Sequence, residues 1–324
     1  MADKQQSLYE LSIIIPFYNE VESLPELFSW IERVCSDYKY EVIGIDDGSS
    51  DDSWHIVEAY HEKSPQVFKG IRFRRNLGKS AALNAGFKKA QGEVVVTMDA
   101  DLQDSPEEIP ELYRMISQDG YDLVSGWKKK RNDPKNKTIP SKLFNATTRK
   151  VSGIKLHDFN CGLKAYKKDV VKSVRLQGDM HRYIPVIAER AGFTKIGEKV
   201  VEHRAREFGV SKFGAERFMN GFFDLLTVSF ISKFAKRPMH FFGTLGILSF
   251  LLGTLSALIL IIQKFIELSN EVYGNLITNS AWFYFALTLM IIGVQLFLAG
   301  YLGEMISRQN RHDDSEHIAE QLGG

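Results

Sequence analysis

The stretch Val94-Val95-Val96-Thr97-Met98-Asp99-Ala100-Asp101 runs from four β-branched residues and a methionine into an Asp-x-Asp. Such a run fits a strand. Two carboxylates one residue apart at its end offer oxygen ligands to a hard divalent cation and to the diphosphate it carries. On either side, apolar spacing alternates between period 2 and period 3.6. It predicts strands over Leu11–Pro16, Glu41–Ile45, Val67–Phe73, Glu93–Met98 and Asp122–Gly126. Between them it predicts helices over Val21–Cys35, Trp54–His61, Gly78–Ala90 and Pro106–Gln118. Alternation of this kind implies an α/β domain, a mostly parallel sheet with helices on both faces. Ligands of such sheets bind beyond the carboxyl ends of the strands. Asn19-Glu20, Asp46-Asp47 and Asp99-x-Asp101 all fall there.

The rest of the first 213 residues is less regular. It predicts a basic loop over Lys128–Lys137, a helix over Ser141–Val151, a turn and strand over Asp158–Tyr166, a helix over Tyr183–Ala191 and a strand over Lys195–Glu202. Residues 214–240 mix aromatic and charged positions as an amphipathic juxtamembrane helix does. Phe241–Ile262 and Ala281–Gly303 then contain no charged residue, and each is long enough to cross a bilayer. Lysines and arginines cluster before the first span and after the second, which puts the 1–213 domain and both termini on the cytoplasmic side. Residues 304–324 read as a polar cytosolic tail.

A net charge of +1 gives no general attraction to nucleic acid. Two cysteines, Cys35 and Cys161, are too few for a disulfide framework and fit reduced thiols. The polar N-terminus shows no apolar signal segment. Small residues along the spans suit close helix contact within one chain or between copies, which leaves a homo-oligomer open.

PFYNE at 16–20, IDDGSSDDS at 45–53, RNLGKSAALNAGF at 75–87 and DADLQDSPE at 99–107 together resemble the inverting GT-A (Rossmann-like) glycosyltransferases of the dolichyl-phosphate mannose synthase type. With two C-terminal spans the chain is similar to the bacterial bactoprenol glucosyltransferases of that group. FNCGLKAY at 159–166 and REFGVSKF at 206–213 extend the likeness. The resemblance implies transfer of a sugar, glucose from UDP-glucose first, to a polyprenyl phosphate at the bacterial inner membrane, with Mg2+ or Mn2+. Other donors fit as well: GDP-mannose, UDP-GlcNAc, UDP-galactose or UDP-linked amino-arabinose. It implies that Pro16, Tyr18 and Glu20 line the nucleotide, that Asp46 or Asp47 bonds the base, and that Lys79 faces the diphosphate. It also implies that Asp99 meets the ribose or metal and that Asp101 binds metal with Gln103 beside it, and Asp104 offers a further oxygen. For the acceptor phosphate it points to Ser211 and Lys212, with His157 and Cys161 where lipid-phosphate contacts fall.

Charge adds Lys128, Lys129, Lys130, Arg131, His181, Arg182, Arg204 and Arg206 to the acceptor side. A phosphate monoester is already largely dianionic at neutral pH, so no strong general base is required; Asp158 is the candidate if one acts. Two other readings remain. A processive polysaccharide synthase usually carries Gln-x-x-Arg-Trp, and none of Trp30, Trp54, Trp127 or Trp282 follows an arginine. A membrane-anchored nucleotide-sugar sensor would bind donor without turnover.

Overall fold

The computed structural model describes residues 8–129, 135–176, 178, 180–204, 238–270, 276–309 and 318–322. Strands β1 (Leu11–Phe17), β2 (Tyr40–Asp46), β3 (Phe68–Phe73) and β4 (Val94–Thr97) alternate with helices α1 (Leu24–Val34), α2 (Ser53–Lys63) and α3 (Lys79–Lys89). After α4 (Ile109–Ser117) come β5 (Leu123–Trp127), α5 (Lys135–Ser152), β6 (Lys164–Lys167), α6 (Lys168–Ser173), α7 (Ile184–Arg190) and β7 (Ile196–Val200). With β8 (Ile318–Leu322) they form one sheet in the order β7-β5-β6-β4-β1-β2-β3-β8.

The sheet is parallel where the alternation is regular: β1 with β2 and β4, and β2 with β3. Beyond β4 it becomes mixed, because β6 runs antiparallel to both β4 and β5. The carboxyl ends of β4 and β5 and the amino end of β6 therefore meet at one edge. Strand β1 shows why helices cover both faces. Leu11, Ile13, Ile15 and Phe17 enter a core with α1, α2 and α4, whereas Ile14 points to a second core with α3, α6 and α7. Successive strand side chains face opposite sides, and an almost unbroken apolar strand is what a sheet covered twice requires.

Two segments depart from the sequence reading. Helix α5 begins at Lys135, whereas the sequence places a loop to Lys137 and a helix start after Pro140. Proline prefers a first turn, and inside a helix it removes a backbone bond and crowds the preceding turn, yet the helix runs through Pro140. Ile318–Leu322, expected within a polar tail, is an edge strand antiparallel to β3. It covers a row of β3 backbone groups that an open sheet edge would leave unpaired. The expected amphipathic helix at 214–240 falls mostly outside the described residues.

Residues 229–312 form a second compact unit. Its helices α8 (Pro238–Ser269) and α9 (Ala281–Gln309) are long and apolar enough to cross a membrane, and most of their large apolar side chains are exposed. They pack as a hairpin through small residues. A Cβ on Gly246 would lie 2.6 Å from the Gly293 carbonyl oxygen, and one on Gly293 would lie 2.7 Å from the Phe250 nitrogen. Ser249 Oγ also donates to the Leu289 carbonyl at 2.9 Å. The small residues thus serve contacts within one chain.

Two predictions follow from this packing. Gly246→Val forces backbone apart and lowers the thermal midpoint of the detergent-solubilised protein; an unchanged midpoint would refute the close contact. Cys35 and Cys161 are buried, and burial pushes both thiols up to about 12. At pH 8 neither reacts with a thiol-specific reagent in the native protein, and both react after denaturation. Fast labelling of either native thiol would contradict their burial.

Candidate active site

The rim of the site begins with two interlocked loops. Asn19 takes a positive φ of 57° after β1. Its backbone N–H donates to Ser49 Oγ at 2.9 Å, and its side-chain oxygen accepts from the Ser50 N–H at 2.8 Å. Glu20 N–H donates to Ser53 Oγ at 2.8 Å, and Glu20 Oε2 accepts from Ser23 Oγ at 3.0 Å. Pro16 and Tyr18 are half-buried beside them. Gly48 allows the turn: its φ is +74°, and a Cβ there would stand 2.5 Å from the Arg75 backbone.

Asp46 and Asp47 are both buried and do different things. Asp46 Oδ1 accepts from the Ser49 N–H at 2.7 Å, and Arg72 Nε lies 3.4 Å from Oδ2. Asp47 accepts from the Leu77 N–H at 2.7 Å and from the Gly78 N–H at 3.0 Å. It thereby fixes the turn into α3, although burial raises its carboxyl more than those N–H groups lower it. That turn places Lys79 as the first residue of α3, where the helix dipole favours anions.

Lys79 ion-pairs with Asp99. Burial raises the Asp99 carboxyl, but the ammonium of Lys79, with Lys128 as a further positive neighbour, brings it down to about 2. Asp99 also needs a bare backbone beside it. A Cβ on Gly162 would fall 2.4 Å from Asp99 Oδ2. The Gly162 carbonyl is itself held by Thr97 Oγ1 at 3.0 Å. Asp101 and Gln103 are half-buried next in line, and the Gln103 N–H donates to Asp101 Oδ1 at 3.3 Å. Leu102 between them has a φ of 58°.

Asp104 does not join them as a further oxygen ligand. It is fully buried, and Lys128 Nζ lies 2.7 Å from its Oδ1. Burial pushes the Lys128 ammonium down, and Asp104 more than offsets this, so it titrates above its ordinary range. The first lysine of the basic run therefore neutralises a buried aspartate. Lys129 is exposed, with Nζ 5.6 Å from the Trp127 ring centre. On Trp127 stacks His157, with ring centres 4.1 Å apart. His157 is held by Glu198, which takes its backbone N–H at 2.6 Å and pairs with its ring. Arg204 stacks on Trp30, 4.3 Å from the ring centre.

Asp158 is buried. Its Oδ1 accepts from the Asn160 N–H at 3.0 Å, and its carbonyl accepts from Ser125 Oγ at 3.1 Å. Cys161 is a buried thiol. Arg182 sits half-buried in a short 3-10 turn, Met180–Tyr183, which is tied to α3 because the His181 N–H donates to Ser80 Oγ at 3.1 Å. Burial, then the charges of Lys79, Arg182 and Lys164, hold His181 well below the ordinary histidine range, so it is neutral at pH 7. Lys130, Arg131, Arg206, Ser211 and Lys212 lie outside the described residues.

Among the described residues no three His, Cys, Asp or Glu side chains converge as a metal cage. Lys164 escaped the sequence reading. It is buried at the start of β6, donates to the Cys161 carbonyl, and burial lowers its ammonium. The available signal was a lysine inside the otherwise apolar run Leu163–Tyr166.

Residues 12–175 match the model of glycosyl transferase family 2. The chain belongs to that family. It is similar to the dodecaprenyl-phosphate galacturonate synthase of Rhizobium johnstonii, 37% identical over 97% of this chain and 92% of that one. The undecaprenyl-phosphate 4-deoxy-4-formamido-L-arabinose transferase of Pseudomonas syringae pv. syringae is 36% identical over 92% of this chain and 86% of that one. Among solved structures, glucosyl-3-phosphoglycerate synthase from Mycobacterium tuberculosis, in complex with Mn2+, UDP and product, superposes with a TM-score of 0.53 at 18% identity, over 69% of this chain and 79% of that one. That likeness confirms the GT-A fold. The family-2 chain is a glycosyltransferase, and the corner formed by Asp47, Lys79, Asp99, Asp101, Gln103 and Lys128 lies within the matched residues, whereas His181, Arg182, Glu198 and Arg204 follow them.

The Asp104–Lys128 pair yields a test. Removing one partner of a buried ion pair costs about 3–5 kcal/mol. Lys128→Met should therefore destabilise the protein far more than the double change Asp104→Leu with Lys128→Met, as read by chemical denaturation. Equal losses in the single and double variants would show that the pair is not coupled.

Proposed function

We propose that this glycosyltransferase transfers a sugar, with inversion, from a nucleotide sugar to a polyprenyl phosphate. The observation that carries this reading is the Lys79–Asp99 pair beside Asp101 and Gln103 at the strand ends, in a chain that also holds two membrane-length helices. Named relatives along nearly the whole chain act on dodecaprenyl and undecaprenyl phosphates. They favour galacturonate or 4-deoxy-4-formamido-L-arabinose as the sugar, ahead of the glucose that the motifs alone brought forward.

In this reading Pro16, Tyr18 and Glu20 line the base and ribose. Asp46 or Asp47, at the end of β2 or just after it, is the carboxylate for the base; Asp46 also holds the Ser49 N–H and Asp47 the Leu77–Gly78 turn. Lys79 and the N-terminus of α3 face the diphosphate. A Mg2+ or Mn2+ ion fits the donor set: Asp101 and Gln103 supply oxygens with Asp99 adjacent, and such ions are usually held by one or two carboxylates together with substrate phosphates. When bound, it neutralises charge on the leaving nucleotide. An acceptor phosphate oxygen attacks the anomeric carbon as the C–O bond to the nucleoside diphosphate breaks. The acceptor needs no strong base, and Asp158 serves chiefly to shape the turn that carries Asn160. Lys129 and Arg182, with Arg131, Arg206, Ser211 and Lys212, hold the acceptor phosphate. The rate comes from positioning and charge stabilisation.

The catalytic unit and both termini lie in the cytoplasm and the hairpin in the inner membrane. Two features support this placement. Lysine and arginine flank the outer ends of the spans, and the chain enters the hairpin from the first unit and returns to it at β8.

The test is transfer of label from UDP-galacturonate, UDP-4-deoxy-4-formamido-L-arabinose, UDP-glucose or GDP-mannose to undecaprenyl phosphate by detergent-purified protein, with Mg2+ or with EDTA. Metal-dependent label in the lipid from one donor supports the reading. Donor binding with no lipid product from any of them would move it toward a sensor. Asp101→Asn should lower transfer by about 100-fold or more while membrane extraction stays unchanged; near-normal turnover would remove Asp101 from the reaction.

A further inference from the structure

At the amino ends of the parallel strands, opposite the Asp-x-Asp, lies a cavity of about 290 Å³ lined by Lys69, Lys88, Lys89, Gln91, Lys168 and Lys172. None of its lining residues is acidic. Beneath it Glu41 is fully buried, accepts from Ser12 Oγ at 2.5 Å and from the Gln91 N–H at 2.7 Å, and pairs with Lys69 at 2.8 Å. Glu41 also favours the charge on Lys172. Lys168 Nζ donates to the Gln91 carbonyl at 3.0 Å. Lys172 Nζ donates to the Phe87 and Lys88 carbonyls, each at 2.7 Å. Carbonyls satisfy donors without cancelling charge, and an ammonium has three donors to place. Burial, then the neighbouring Lys168, hold the Lys172 ammonium below its ordinary range.

Lysines do suit the C-terminus of α3, but a helix end carries only about half a negative charge. An anion in the cavity would meet the like charges of Lys89, Lys168 and Lys172, which line it together. The volume is near the lower end of the roughly 300–1,000 Å³ typical of ligand pockets, and the lining is cationic rather than apolar. Both properties fit a small, multiply charged anion and not an acyl chain. Lys79 and Lys89, at opposite ends of α3, are about 15 Å apart at 1.5 Å rise per residue, so a diphosphate at one end does not reach the other.

We propose that this cavity is a second anion site, separate from the donor site, that takes a phosphate-bearing group of about the size of a diphosphate or sugar phosphate. The group can come from a free solute or from an anionic lipid headgroup.

Calorimetric titration of the detergent-purified full chain with inorganic diphosphate in EDTA tests it. Wild type should take up an equivalent that survives Lys79→Ala. Lys168→Gln should weaken that equivalent at least ten-fold. So should Lys89→Glu, at a half-exposed position away from the α3 cap, with an unchanged melting temperature. No binding to wild type, binding lost in Lys79→Ala, or binding unaltered in both cavity variants would each overturn the proposal. Repeating the titration in nanodiscs identifies the source. Uptake blocked by phosphatidylglycerol but not by phosphatidylcholine assigns the cavity to a headgroup, and uptake in both assigns it to a soluble anion; either result upholds the site.

Discussion

Crowding of negative charge at the end of β4 is the constraint on which the rest of this structure depends. Asp99, Asp101 and Asp104 leave the strand within six residues, and a buried carboxylate without a partner is very costly. Two lysines from elsewhere make the arrangement stable. Lys79 comes from the first turn of α3 and Lys128 from the end of β5. Their bonds tie α3, β4 and β5 into one rigid corner. Asp101 and Gln103 stay half-buried at that corner, where the proposed diphosphate and its ion would be received.

The same corner depends on backbone shape. Asp99 can lie against β6 only because Gly162 has no side chain, and the antiparallel course of β6 brings Gly162 and Lys164 to that edge. Asp47 sets the turn that starts α3, and the serines at 49, 50 and 53 lace the β2–α2 loop to the β1–α1 loop. Hydrogen bonds of these kinds contribute about 1 kcal/mol each. In the proposed reaction their effect lies in fixing positions before a donor arrives, which lowers the barrier to a displacement.

Much of this was legible in the residues. The β-branched runs and the period of the helices placed every strand from β1 to β5, because strands covered on both faces leave a clear apolar signature. The Asp-x-Asp, the lysine after Gly78 and the two uncharged segments pointed to the site and its setting. What was not legible came from contacts distant in sequence. The basic run at 128–131 carries the same composition whether its lysines hold an acceptor or a buried aspartate. Only the fold shows that Lys128 meets Asp104. Asp46 and Asp47 were likewise interchangeable until their separate partners were visible, and His157 proved to be held by Glu198.

The sequence by itself determined the alternation of elements, the strand end that carries the carboxylates, the two membrane-length helices and the family. Each of these is written in local periodicity or in a short motif. Tertiary structure decided the reversal of β6, the closing of the sheet edge by Ile318–Leu322, the burial of Lys164 and the gathering of lysines at the far end of the sheet. Those depend on which segments meet in space. An ion pair or a register across more than twenty residues leaves no local pattern for a sequence to display.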